Sequence, residues 1–355
     1  MPSELRDFPN LLLDVYGRPM RSLRISVTDR CNLRCRYCMP EDDYAWVAHD
    51  AILSFEEIST LVEIFTALGV RRLRLTGGEP LLRRNLDGLI KVLAARPLVE
   101  DLAITTNGVL LGAKGRSLRT AGLKRVTVSL DTLQPRRFQA LTRSTAHSAV
   151  VAGIGAAIEA GFDSVKINTV VIRGFNDDEI ADLLEFGRRA GAEVRFIEYM
   201  DVGGATRWAA EQVVTREEIL RTIESRFGPA KTASAATSDA DGAKVPADRF
   251  RLEDGTTFGI ISSTSRPFCG TCDRSRLTTD GVLLLCLYAG NGVDLKALLR
   301  RGASAGEIAR AIARAWTART DRGAEDRRQL QSRGALFPVE ELRKDLHREM
   351  HTRGG

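Results

Sequence analysis

Between Leu23 and Glu198 the chain alternates short β-rich runs with helical stretches, and that alternation limits the fold more than any other feature. Parallel strands cannot be joined by tight turns, so each crossover needs a helix, and a repeated βα order implies a parallel sheet covered by helices. Six runs read as strands: 23–28 (LRISVT), 72–76 (RLRLT), 101–105 (DLAIT), 125–130 (RVTVSL), 164–171 (SVKINTVV) and 193–198 (EVRFIE). Ser54 with Glu57, Asn176 with Glu179 and Thr215 with Glu218 have capping-box spacing at helix starts. Gly69, Gly161, Gly191 and Gly228 fall where a left-handed residue ends a helix. Periodicity alone leaves two architectures open, a doubly wound open sheet and a partial barrel of six βα units.

The period changes after residues 231–247 (KTASAATSDADGAKVPA), which lack aromatics and read as a flexible connection. They separate residues 1–230, with a core at 20–228, from a C-terminal region at 248–355. In that region 249–262 and 274–285 read as hairpins about Asp254-Gly255 and Asp280-Gly281, both with the Asp-Gly signature of a type I′ turn. Further on, 304–319 reads as a helix with Ile308, Ile312 and Trp316 on one core-facing side.

With 43% hydrophobic and 28% charged residues in 355, the chain has the composition of an ordinary globular protein. No window approaches the ~20 apolar residues of a membrane span, and no export signal is legible. The net charge is +6, and only eight of the 52 basic residues are Lys. Arginine forks suit phosphates and carboxylates. Solvated surface arginines explain most of this excess more simply, so the charge does not by itself indicate a nucleic-acid partner.

The six cysteines form two groups, Cys31, Cys35 and Cys38, then Cys269, Cys272 and Cys286. A disulfide scaffold is short and cysteine-dense, so reduced thiolates holding metal in the cytoplasm fit this long chain better. Structural zinc is the plain alternative, but it closes four ligands around the ion, whereas each group offers three. His49 follows Cys38 and stands as an alternative fourth ligand. Three thiolates with one open position suit an iron-sulfur cluster that binds a molecule at its fourth iron. The hairpin reading puts Cys269 and Cys272 between hairpins and Cys286 at the end of a strand, where the three can meet.

CNLRCRYC at 31–38 resembles the C-x3-C-x-aromatic-C motif of radical S-adenosylmethionine enzymes, and Gly77-Gly78-Glu79-Pro80 resembles their loop for the methionine amino group. The second triplet with its C-x2-C-x13-C spacing, the run CDRSRLT at 272–278 and the terminal Gly354-Gly355 narrow the resemblance to the GTP 3′,8-cyclase family of molybdenum cofactor biosynthesis. The likeness runs from LRISVTDRC through RLTGGEPL, ITTNG, VSLD, VKINTV and IEYMD to the C terminus.

That resemblance implies an incomplete (β/α)6 barrel followed by a C-terminal segment of antiparallel strands. It implies two [4Fe-4S] clusters, the first on Cys31, Cys35 and Cys38 and the second on Cys269, Cys272 and Cys286. S-adenosylmethionine falls to Tyr37, Gly78, Ser129 and Met200. GTP falls to Arg24, Arg74, Thr105 (Thr106 being the adjacent alternative), Lys166, Arg274, Ser275 and Arg276. Arg274, Arg276, Gly354 and Gly355 are implied in catalysis, although Arg353 stands where the family usually has an apolar residue. The implied reaction takes a hydrogen atom from ribose C3′ of GTP and joins that carbon to guanine C8. Implied partners are a flavodoxin- or ferredoxin-type reductant, the downstream cyclic pyranopterin monophosphate synthase and a second copy in a homodimer, with no nucleic acid and no membrane. Each contact residue also has a plainer reading: Arg24, Arg74 and Lys166 as strand-surface charges, Ser129 as a strand end, Met200 as core. Two rival functions remain, another two-cluster radical enzyme such as a peptide modifier, and a zinc-stapled nucleic-acid binder.

Overall fold

The computed structural model describes residues 3–5, 8, 11–233 and 247–354. Its strands are β1 (Ser22–Ser26), β2 (Arg72–Thr76), β3 (Asp101–Thr106), β4 (Arg125–Ser129), β5 (Ser164–Val171), β6 (Glu193–Glu198), β7 (Lys231–Thr232), β8 (Asp248–Arg251), β9 (Thr257–Ile261), β10 (Arg274–Leu277), β11 (Val282–Leu284) and β12 (Val293–Asp294). Helices α1 (Phe55–Ala67), α2 (Leu86–Ala94), α3 (Leu111–Thr120), α4 (Pro135–Thr142), α5 (His147–Glu159), α6 (Ile180–Ala190) and α7 (Arg216–Phe227) lie between or just after the first six strands. The C-terminal region adds α8 (Leu295–Arg300), α9 (Ala305–Thr317), α10 (Gly323–Arg328), α11 (Val339–Lys344) and α12 (Met350–Arg353).

All twelve strands form one sheet in the order β12-β11-β10-β1-β2-β3-β4-β5-β6-β9-β8-β7. The six expected strands are parallel neighbours, and the C-terminal hairpins extend both edges: β10 runs parallel to β1, and β9 parallel to β6. Residues 248–354 therefore share the sheet and its core with residues 22–198. Lys231 and Thr232, read from sequence as part of the connection, pair with β8 instead, and 234–246 lie outside the described residues.

Parallel strands covered on both faces usually read as unbroken apolar runs. Here burial alternates without a break along β5 and β6. One face carries Leu23, Ile25, Leu73, Leu75, Ile167 and Phe196, each at most 1% exposed, and packs under the helices. Helix α1 supplies Ile58, Leu61, Val62 and Phe65 to that layer, each fully buried side chain contributing about 1.5–3 kcal/mol. The other face is polar and encloses the site.

The capping boxes at Ser54/Glu57 and Thr215/Glu218 form as read. Asn176/Glu179 does not. The Asn176 amide donates to the carbonyls of Asp131 (2.6 Å) and Val170 (2.9 Å), while Glu179 accepts from the Thr132 hydroxyl (2.6 Å) and the Leu133 N–H (2.7 Å). Both side chains are buried and tie the loop after β4 to the loop after β5, a long-range use that overrides local capping. Both Asp-Gly hairpins form, but with three-residue loops. The N–H of Gly255 and of Gly281 each meet a carbonyl three residues back at 3.0 Å, and the glycines take φ of +87° and +86°. Type I′ would need positive φ at the aspartates as well, where a Cβ is costly, and neither adopts it.

Candidate active site

A single cavity of about 550 Å³ is lined by β1–β6, β9 and β10, and all six cysteines, each a free thiol, line it. The strand alternation aims Arg24, Arg74, Thr105, Thr127, Lys166 and Arg276 inward. Register sets them side by side: Arg276 against Arg24, Arg24 against Arg74, Thr105 against Thr127, Thr127 against Lys166.

At the C-terminal ends of the strands, β1 stops at Ser26, two residues sooner than its pattern suggested, and the Thr28 carbonyl turns to take the Gly78 N–H (2.8 Å). A Cβ on Gly77 would come within 2.3 Å of the Thr28 carbonyl oxygen, and one on Gly78 within 2.4 Å of that of Arg30. The glycines of GGEP are thus required by the approach of the cysteine loop. That loop closes on itself where the Cys35 carbonyl accepts the N–H groups of Cys38 (3.0 Å) and Met39 (2.7 Å). Cys31 Sγ accepts from the Leu33 N–H (3.5 Å) and the Asn107 amide (3.9 Å). Burial first, then the neighbouring thiols, pushes Cys35 and Cys38 well above the usual thiol range. Such a pocket holds thiolates only in company with a cation.

Two buried carboxyls organise this end. Glu79, 0% exposed, accepts from the Thr106 hydroxyl (2.7 Å) and the N–H groups of Leu81 (2.9 Å) and Asn107 (2.7 Å), and burial pushes it up to about 7. Asp131 accepts from the Tyr37 hydroxyl (2.8 Å) and the Val170 N–H (2.8 Å), and burial pushes it up to about 6. Gly78, Ser129 and Met200 line the same end.

At the other end, Cys269 opens a short turn in which the Cys272 N–H meets the Cys269 carbonyl (3.2 Å), and Cys286 Sγ accepts from the Tyr288 N–H (3.4 Å). The first turn of α10 turns N–H groups toward this triplet, Ala324 and Glu325 at Cys269 and Gly323 at Cys286, which offsets part of the burial that pushes both thiols up. Between the triplets the cations are crowded. Burial and then the guanidiniums of Arg276, Arg274 and Arg74 hold Arg24 well below the usual range. Arg74 donates to the hydroxyls of Thr105 (3.3 Å) and Thr127 (3.2 Å), and burial pushes Lys166 down to about 8 although Glu193 lies 3.4 Å away. A buried array of like charges is stable only around an anion.

The C-terminal tail enters this array. The Gly354 carbonyl accepts from Arg276, and a Cβ on Gly354, at φ +72°, would stand 2.3 Å from the Thr76 hydroxyl. Arg353, 1% exposed, donates to the carbonyls of His347 and Leu287 (2.7 Å to the latter) and lies 5.5 Å from the Phe337 ring. Its Nε and Nη1 are thus held by main chain, while Nη2 is buried without a partner.

The structure thus brings together every site residue read from sequence except two. Ser275 faces the other side of β10, fully buried, with its hydroxyl toward the Ser22 carbonyl (3.3 Å), and Gly355 lies outside the described residues. Thr105 faces the arginines, while Thr106 serves Glu79. Sequence reading quoted the motifs that contain Glu79, Asn107 and Asp131 but gave these side chains no role, and it missed the pairs Arg72–Asp273 and Arg125–Asp101 that border the cations. Strand alternation would have found Arg72 and Arg125, which are two residues from Arg74 and Thr127. Among the described residues no three His, Cys, Asp or Glu side chains converge on a single metal ion, as zinc requires. Three thiols lining one pocket fit a cubane, which offers each a separate iron.

Residues 25–187 match the family model of the radical SAM superfamily, and residues 192–325 that of Molybdenum Cofactor Synthesis C. Solved structures of Streptococcus suis SuiB share the fold. The form bound to S-adenosylmethionine aligns over 83% of this chain and 69% of that one with a TM-score of 0.56 at 16% identity, and the form bound to the precursor peptide SuiA over 89% and 69% with a TM-score of 0.57 at 16% identity. Fold and site together define a radical S-adenosylmethionine protein. Among curated relatives, GTP 3′,8-cyclase 3 of Mycobacterium bovis is 53% identical over 96% of this chain and 90% of that one. GTP 3′,8-cyclase 1 of Mycobacterium tuberculosis is 52% identical over 96% and 95%, and the GTP 3′,8-cyclase of Pelotomaculum thermopropionicum 44% over 90% and 99%. The chain belongs to the GTP 3′,8-cyclase family. No described helix is long and apolar enough to cross a membrane.

Proposed function

We propose that the chain uses S-adenosylmethionine and an electron to convert GTP to (8S)-3′,8-cyclo-7,8-dihydroguanosine 5′-triphosphate, the first step of molybdenum cofactor biosynthesis. The observation that carries this reading is one cavity with a cysteine triplet at each end, an arginine–lysine array between, and the tail carbonyl on Arg276. In this reading β1–β6 form the incomplete barrel, residues 248–355 hold the second [4Fe-4S] cluster, and Cys31, Cys35 and Cys38 hold the first. Bound there, the first cluster supplies the electron that splits S-adenosylmethionine into methionine and a 5′-deoxyadenosyl radical.

The chain's own residues bind, aim and seal. Gly78, Ser129, Met200 and the Tyr37–Asp131 pair shape the S-adenosylmethionine end. Arg24, Arg74, Thr105 and Lys166, with Arg274 and Arg276, hold the triphosphate and guanosine by charge-assisted hydrogen bonds, so that one ribose C–H faces the radical. Gly354, with its carbonyl on Arg276, closes the cavity, which keeps solutes with weak C–H bonds away from a radical that would take hydrogen from them. The reductant is a flavodoxin- or ferredoxin-type protein, and the product passes to cyclic pyranopterin monophosphate synthase in the cytoplasm, where thiolates stay reduced.

Anaerobic protein loaded with iron and sulfide, given S-adenosylmethionine and dithionite, should form 5′-deoxyadenosine far faster with GTP than without, together with a cyclised nucleotide. Cleavage indifferent to GTP would remove the cyclase reading and leave the radical chemistry.

A further inference from the structure

Behind the second triplet, outside the cavity lining, lies a buried ionic group that substrate binding does not use. Asp14 is 6% exposed, and Arg18 and Arg319 are each 2% exposed. Asp14 Oδ2 meets Arg18 Nε at 2.6 Å and Arg319 Nη1 at 3.4 Å, while its Oδ1 accepts the N–H groups of Tyr16 and Arg18, both at 2.9 Å. The same two guanidiniums reach the main chain of the cysteine pair: Arg18 Nη1 donates to the Cys269 carbonyl (2.8 Å) and to that of Asp321 (2.9 Å), and Arg319 Nη1 to the Cys272 carbonyl (2.8 Å). Trp316 braces both, with its indole N–H on the Arg18 carbonyl (3.1 Å) and its ring 4.6 Å from the Arg319 guanidinium.

Two guanidiniums against one carboxylate leave a positive charge buried, and Arg18 Nη2 and Arg319 Nε are enclosed without partners. An uncompensated buried cation is costly unless an anion lies close by. Three thiolates bound to a cubane carry more negative charge than its irons offset, and the carbonyls of two of those cysteines are what the guanidiniums touch. Groups that orient a metal's ligands and set the field at the metal act in this way at other centres.

We propose that Arg18 and Arg319, oriented by Asp14, are positioning residues for the second iron-sulfur cluster: they fix the main chain of Cys269 and Cys272 before metal arrives and supply the positive charge that holds the loaded cluster. The proposal rests on the two-cluster reading above. It assigns a task to residues 14–18, which precede both family-model matches.

The test is a reductive titration of the second cluster by electron paramagnetic resonance, with iron counted per chain, in full-length protein whose Cys31, Cys35 and Cys38 are serine. Arg319→Met should lose most of this iron, and the remaining signal should titrate at lower potential. Arg319→Lys, which keeps the charge without the fork, should recover the potential but only part of the iron. Asp14→Asn should move the potential the other way, upward, because it removes the negative member. Opposite signs are not expected of residues that only pack the core, and circular dichroism of the metal-free chains shows whether each folds. Should Arg319→Met not fold, the sign in Asp14→Asn decides. Variants that keep the parent's iron and potential overturn the proposal alone, whereas a triple-serine parent that takes up no cluster overturns the two-cluster reading and the proposal with it.

Discussion

Carboxyl groups crowd the first cysteine triplet, whereas guanidiniums crowd the second. Glu79 faces Cys31, Asp131 faces Cys35 and Glu349 faces Cys38, and Arg34 opposes them at Cys31 and Cys35. Arg24 and Arg276 face Cys272, and Arg276 and Arg353 face Cys286, with Asp321 beside Cys286 and Glu325 beside Cys269. Negative surroundings disfavour the added electron, so a cluster on the first triplet is a strong reductant once charged, which splitting a sulfonium demands. Positive surroundings would quiet a cluster on the second triplet and favour an anion such as a triphosphate beside it. One sheet therefore carries two environments, and the residues that distinguish them are its inward-facing charges.

The largest effect should come from breaking one end at a time. Cys35→Ser should reduce 5′-deoxyadenosine formation to background, while Cys272→Ser should keep uncoupled cleavage and lose the cyclised nucleotide, both measured by chromatography of quenched reactions. Loss of all cleavage in Cys272→Ser would mean that the ends are not separable.

Arg276→Ala removes both a cation and the donor to the Gly354 carbonyl, so product formation should fall about 10²-fold, the scale for one preorganised charge donor. A change below fivefold would show that neither role matters.

Asp131 sharpens the contrast through pH. Its folded value of about 6 exceeds the ordinary 3.8, so between those values the folded chain binds the proton more tightly than the unfolded one, and stability falls as pH rises through that window. Against Asp131→Asn, the metal-free parent should lose about 3 kcal/mol in all, most of it between pH 3.8 and 6 and the rest within about one unit on either side, read from denaturant unfolding at each pH. A flat difference would contradict the buried, ionisable carboxyl. The smallest effect belongs to Ser275→Ala. Its hydroxyl faces the Ser22 carbonyl, so stability should fall by about 1 kcal/mol and the apparent affinity for GTP should not move.

Much of this was legible in the chain. The two triplets with GGEP located the chemistry, and the alternation in Arg72-Leu73-Arg74-Leu75 carries the polar inner face that the structure shows. Asp254-Gly255 announced a hairpin but not its turn type, because the glycine's positive φ is compatible with a three-residue loop as well. What stayed hidden depends on partners far apart in sequence. Nothing near Glu79 points to Thr106 and Asn107, and Arg18 lies 251 residues from the Cys269 carbonyl that it holds. Local pattern misassigned Asn176 for the same reason, since its partner, the Asp131 carbonyl, lies one βα unit away.

In the proposed reaction a radical made at the first triplet reaches a nucleotide held by the arginine array before the second. Loaded enzyme given GTP deuterated at ribose C3′ tests it directly, by mass spectrometry of the 5′-deoxyadenosine released. That product should carry one deuterium, and the cyclised nucleotide should carry none at C3′. Unlabelled 5′-deoxyadenosine formed at the same GTP-stimulated rate would contradict it.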